Sequence, residues 1–262
     1  MEAPTKKSEM PVVGRFCVVA HHATPDRKWE TTMFEPWLGE KYSDESNVLG
    51  GRRLVILGES HYSKKPEEIG QTPEGFTPNV IRWLAIRKRH AYFGKLQEIV
   101  TREPRRSHSS EGKSAFWNAV AFYNYVPVMV DGRSWAEGGS RRRPSHEMFE
   151  AGAAPFKIIR KRLEGEVILV TGLELWGYVW RHLGMPTTGT KSAVIVDDGQ
   201  AVFTWIRHPS WPGFKPAAYY DQIQTAMDMA SEPRERGRVL HRADVASRAP
   251  EATSWPLVPS RT

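Results

Sequence analysis

Residues 52–62 read RRLVILGESHY. Leu54, Val55, Ile56 and Leu57 form an unbroken apolar run, with two arginines before it and Gly58 after it. A strand with one wet face alternates apolar and polar residues. A continuous run is buried on both faces, as in the parallel core of an α/β protein. Where the run ends, the chain presents a carboxylate, a hydroxyl, an imidazole and a phenol in succession, Glu59 to Tyr62. Open α/β sheets bind ligands outside the carboxyl ends of their strands. The stretch therefore points both to a fold class and to a candidate site.

Three further segments have the same character. AVAFYNYVPV (119–128) is β-branched and aromatic, EVILVTG (166–172) is a second aliphatic run, and SAVIVDDGQAVFTWIRHPS (192–210) holds two strands about an Asp-Gly turn, a hairpin signature. Between them lie helical patterns at 79–100 (with a break expected near Gly94), 155–165, 173–184 and 216–230. Segments 63–78, 101–114 and 131–145 are polar and rich in Gly, Pro, Ser or Arg, and read as loops. Strands are expected near 53–58, 119–126, 166–171 and 201–207. Strands alternating with helices imply a single α/β domain with a doubly wound, mostly parallel sheet. It should span 12–230, with 12–50 as an irregular wrap, 1–11 as a flexible leader and 231–262 as a disordered basic tail.

The chain has 262 residues, 40% of them hydrophobic and 11% aromatic, enough for a substantial core. Cys17 is the single cysteine. That excludes a disulfide framework and any four-cysteine zinc or iron–sulfur site, and it suits a reducing, cytoplasmic compartment. His21 and His22 are adjacent and cannot share a helix face, so no metal site and no cofactor are expected. No apolar run reaches the ~18 residues of a membrane span. The formal charge is +7, with arginines clustered at 101–108, 140–144, 158–162 and 231–238. Clustered arginine suits phosphate contacts and favours nucleic acid, or an anionic membrane, as the partner of an expected monomer.

Two motifs suggest other chemistry. SHSSEGKS (107–114) ends like a phosphate-binding loop, but Ser107 replaces its first glycine and no strand precedes it. GESHY resembles the G-x-S-x-G elbow of serine hydrolases, with Ser60 as nucleophile and His208 as base, although the last glycine is Tyr62 and a loop follows instead of a helix.

VILGESHY, FYNYVPV, EGEVILVTGLELW and IRHPS, taken together and in this order, resemble the uracil-DNA glycosylase superfamily over roughly residues 52–220. The resemblance implies that family's type of mostly parallel sheet and the hydrolysis of an N-glycosidic bond. Gly58 and Glu59 match the start of the family's G-E-A-P-G form, and Ser60 stands where the G-Q-D-P-Y form has its water-activating Asp. Tyr62 matches the pocket-floor tyrosine, Asn124 the base-reading Asn, and His208-Pro209-Ser210 the H-P-S motif. Phe76 lies where the family stacks a phenylalanine on the base. The implied catalytic residues are thus Glu59, His208 and Ser60, and the base-binding residues Tyr62, Phe76 and Asn124. His61, Ser210, Trp211 and Phe214 are the implied DNA contacts. His61 departs from the family's proline, and the cluster cysteines of some relatives are absent.

The altered rim of GESHY suggests a modified pyrimidine over plain uracil. One divergent branch of this kind resembles a bacterial anti-phage glycosylase that removes glucosylated hydroxymethylcytosine. A uracil-repair glycosylase, a serine hydrolase and a non-catalytic DNA-binding protein are the alternatives.

Overall fold

The computed structural model of the chain describes residues 33–138, 143–185, 193–233 and 236–248. The expected leader, His21, His22, Cys17 and the end of the tail beyond 248 lie outside them.

The four aliphatic runs are strands: β2 (Leu54–Gly58), β4 (Val120–Asn124), β6 (Val167–Thr171) and β8 (Val202–Ile206), every residue of each being buried. They lie side by side and parallel in the order β4-β2-β6-β8. Burial on both faces follows from the helices. Leu54, Ile56, Val120, Phe122, Val167, Leu169, Val202 and Ile206 face one shared core. Helix α2 (Ala91–Thr101), α3 (Ser110–Asn118) and α7 (Tyr220–Met229) pack into that core through Leu96, Ile99, Trp117 and Ile223. The alternate residues face α5 (Ala153–Leu163) and α6 (Leu173–His182); the guanidinium of Arg160 lies 5.1 Å from the Phe203 ring. Each fully buried Leu, Ile or Val contributes roughly 1.5–3 kcal/mol, so continuous runs are what this two-sided layer requires.

The full sheet has seven strands and is mixed, not mostly parallel. β1 (Trp37–Leu38) adds antiparallel to β4, β7 (Ala193–Asp197) antiparallel to β8, and β9 (Val239–His241) antiparallel to β7. Half of its neighbouring pairs are therefore antiparallel, which overturns the doubly wound, glycosylase-type sheet expected above. The physical cause at β7–β8 is the short turn. Asp198 accepts from the N–H groups of Gln200 and Ala201, and Gly199 takes φ 86°. A loop this short can join only antiparallel strands. Two further strands, β3 (Tyr62–Ser63) and β5 (Val130–Asp131), form a small parallel pair of their own.

Other expectations also need correction. The 79–100 helix is not broken at Gly94. α1 (Phe76–Val80) runs into a π-helical stretch at Ile81–Arg87, Lys88 is extended, and α2 begins at Ala91. Gly94 sits inside α2 because a Cβ there would come within 2.6 Å of the Arg105 side chain. The supposed loop 101–114 contains the start of α3, capped by the Ser109 hydroxyl. Residues 239–248, placed by composition in a disordered tail, form β9 and α8 (Arg242–Arg248), whose Leu240 and Val245 are buried. Helix α4 (His146–Ala151) precedes α5.

Candidate functional site

The parallel strands bring their carboxyl ends to one edge. β4 ends at Asn124, β2 at Gly58-Glu59, β6 at Thr171-Gly172, and β8 leads into Arg207-His208. Gly58 and Asn124 are register partners. At ~4.8 Å per strand, the ends of β4 and β8 stand ~14 Å apart, with Gly58 and Thr171 at the same level on the two strands between them.

Asn124 is buried, and its side chain lies across Gly58, so that a Cβ at residue 58 would meet Oδ1 at 2.0 Å. This close approach is why the strand must end in glycine. No group among the described residues hydrogen-bonds the Asn124 amide. It therefore keeps a donor and an acceptor for something else.

Glu59 is also buried. Its Oε2 accepts from Arg143 at 2.6 Å, and its Oε1 accepts from the Tyr62 hydroxyl at 3.3 Å. Arg143 also reaches Glu174 at 2.9 Å, tying the start of α6 to the site. Gly172, at φ 122°, makes the turn from β6 into α6 beside Glu59.

His208 is held as a neutral imidazole. Burial, reinforced by Arg143 and Lys95, pushes its pKa down to about 4. Its Nδ1 accepts from the backbone N–H of Ser210 at 3.2 Å. The ring proton of the neutral form is therefore on Nε2, making that atom a donor. Tyr92 packs on the ring at 5.2 Å between centroids. The Thr171 hydroxyl donates to Leu57 O at 3.2 Å, so it must accept from Tyr92 at 3.1 Å. Lys95 Nζ donates to Pro209 O at 2.6 Å and fixes the H-P-S loop from behind.

The remaining site candidates divide. Tyr62 stands at the mouth, 47% exposed, instead of forming a closed floor; its phenol pKa is raised, chiefly by partial burial. Ser210 and Trp211 are on the surface, and Trp211, at 56% exposure, is available for stacking. Phe214 is partly buried: it stacks on Tyr219 at 5.3 Å and packs against the core under the loop. His61 is not on the surface. It is buried between Phe34 and Phe76 and bonded through Nε2 to Thr77 at 2.8 Å, and burial pushes its pKa down to about 3. Phe76 is thereby committed to an aromatic cluster at the start of α1. Ser60 Oγ is buried with no hydrogen-bond partner among the described residues, so the Ser60–His208 contact of a hydrolase is not formed.

Arg143, Tyr92 and Thr171 are the members that motif reading missed. Arg143 was visible only as part of an arginine cluster, and nothing local to Tyr92 or Thr171 signals a role, since α2 and β6 bring them in from distant parts of the chain. Among the described residues, no group of His, Cys, Asp and Glu is arranged to hold a metal, and no helix is long and apolar enough to cross a membrane. No protein-family model matches the chain, and no curated protein matches it.

Proposed function

We propose that the chain is a DNA glycosylase that hydrolyses the N-glycosidic bond of an extruded pyrimidine-type nucleotide and leaves an abasic site. The observation that carries this reading is the placement, at one sheet edge, of an unpartnered amide (Asn124), a buried carboxylate (Glu59) and a neutral imidazole with Nε2–H to donate (His208). Breaking this bond leaves cationic character on the sugar and sends the bonding electrons into the base. Asn124 supplies the donor and acceptor that match a pyrimidine edge. His208 donates to the base oxygen that gathers the charge, and it does so without having to lose a proton of its own. Glu59 stabilises the cationic sugar and orients the water whose oxygen bonds to C1′. Trp211 is placed to fill the gap in the stack.

A modified base is favoured over plain uracil. A half-exposed Tyr62 leaves the rim open where a uracil pocket is closed against substituents on ring carbon 5. Most polar side chains of the 63–78 segment are already engaged. Ser63 and Lys65 bond Glu68, Lys64 bonds Glu137, and Thr72 bonds Pro127 O. The room for a substituent lies at Tyr62, not in that loop.

The test is incubation with DNA carrying uracil, hydroxymethylcytosine or glucosylated hydroxymethylcytosine, followed by alkali to cut abasic sites. Cleavage is expected in the modified-cytosine DNAs, and weak or no cleavage in uracil DNA. Rapid uracil release alone would reverse the substrate preference. Cleavage of none would remove the glycosylase reading.

A further inference from the structure

Behind the H-P-S loop lies a cavity of about 720 Å³ that the chemistry above does not use. Six of its lining side chains are lysines or arginines: Lys88, Arg89, Lys95, Arg105, Arg106 and Lys113. Glu98 is the sole acid on its wall, and its Oε2 already accepts from the backbone N–H of Arg105 at 3.1 Å. None of the six forms an ion pair among the described residues. Five net charges in one concavity, in a chain whose total is +7, repel one another unless something offsets them.

Lys113 is the most informative of the six. It belongs to the SHSSEGKS motif, which is not a phosphate loop but the first turns of α3. The residue is more than nine-tenths buried, and its ammonium makes a single polar contact, to Lys88 O at 3.2 Å. Two of its three N–H donors are unspent. A buried ammonium without a carboxylate destabilises a fold, and it is tolerated where an anion completes it. Arg105 is held over the same space by its close packing on Gly94.

We propose that this cavity grips the phosphodiester backbone of a nucleic-acid strand, with Lys113 as the buried anchor and Arg105 and Arg106 closing over the phosphates from the 104–108 turn. A strand is favoured as the source of phosphate by continuity. Phe214 lines the cavity, and Lys95 joins its wall to Pro209, so the cavity opens beside the loop that carries His208 and Trp211. The proposal takes its choice of strand from the glycosylase reading but does not depend on catalysis.

The test is fluorescence anisotropy with a short labelled DNA strand of unmodified bases, with inorganic tripolyphosphate as competitor. Lys113→Met and the double variant Arg105→Ala/Arg106→Ala are compared with the parent, and melting temperatures are recorded. Each variant is expected to weaken strand binding about tenfold or more, and the double variant to flatten the log–log salt slope by ~1.4, at ~0.7 per phosphate contact on a single strand. Lys113→Met should melt no lower than the parent, because it removes a buried charge. A purely structural lysine would give the opposite pair, a lower melting temperature with unchanged binding, and would overturn the proposal. Tripolyphosphate binding as tight as the strand would overturn the strand as source and assign the cavity to a free phosphate compound. Parent-like binding by both variants sinks the cavity alone and leaves the glycosylase reading intact, whereas a parent protein that binds no DNA at low salt sinks both.

Discussion

Gly58 shows how much of this site rests on single atoms. Its missing Cβ is the space that the Asn124 amide occupies. Gly58→Ala is expected to keep the fold, since the amide can swing away, but to slow base release on the order of 10²-fold by moving the amide proposed to read the base. Circular dichroism beside a single-turnover assay separates the two effects, and a fully active Gly58→Ala protein would remove Asn124 from the reading. His61 and His208 set a pH signature. Between about 3 and the ordinary 6.5, the unfolded chain binds a proton at residue 61 that the folded chain does not. The same holds at residue 208 between about 4 and 6.5. Stability is therefore full above the ordinary histidine value and falls as the pH drops through that window, by up to about 1.4 kcal/mol per pH step for each histidine. Melting temperatures should decline from pH 7 towards pH 4, and His61→Met should flatten the decline. A parent protein equally stable at both ends would mean that His61 is not a neutral core residue.

Among the elements, legibility followed the length and purity of the apolar signal. β2, β4, β6 and β8 each announce themselves by five consecutive buried residues, and the Asp-Gly turn announces β7. β1 is two residues long in a stretch without periodicity, and β9 is three residues in a polar, proline-bearing composition, so neither has a local signal. Missing those edges is what made the sheet look mostly parallel. The site was half legible for a related reason. Asn124, Glu59 and His208 follow strand ends directly, whereas Arg143 and Tyr92 reach the cleft only through tertiary packing. His61 misled because its neighbours in sequence are site residues, while its neighbours in space are Phe34, Phe76 and Thr77. At this scale β9 and α8 are expected to matter for stability. Leu240→Ala should cost about 2–5 kcal/mol by the cavity it leaves against β7, and urea titration measures it. A loss under ~0.5 kcal/mol, the range of surface changes, would mean that the strand is not held on the sheet edge.

For the molecule as a whole, the site and the basic cavity meet at the His208–Phe214 loop, with a strongly basic hollow on one side and, on the other, a sheet edge that carries an amide, a neutral imidazole and a carboxylate paired with Arg143. Under the proposed function, such a division would let phosphate contacts hold a strand while the cleft discriminates the base. Ser60→Ala then distinguishes two uses of the same loop. A glycosylase acting through Glu59 and His208 keeps most of its activity, while a serine hydrolase loses all of it. The central claim is that the Nε2–H of His208 stabilises the departing base. The most direct measurement is the single-turnover rate of alkali-labile site formation, for the parent and for His208→Ala, on whichever modified-cytosine DNA the parent cleaves, followed from pH 8 to pH 5. The account predicts a loss on the order of 10²-fold or more for the variant, with DNA affinity nearly unchanged. It also predicts a parent rate that shows no loss attributable to His208 until the pH nears its depressed value of about 4. A variant within a few-fold of the parent, or no alkali-labile sites from the parent on any of these DNAs, would contradict it.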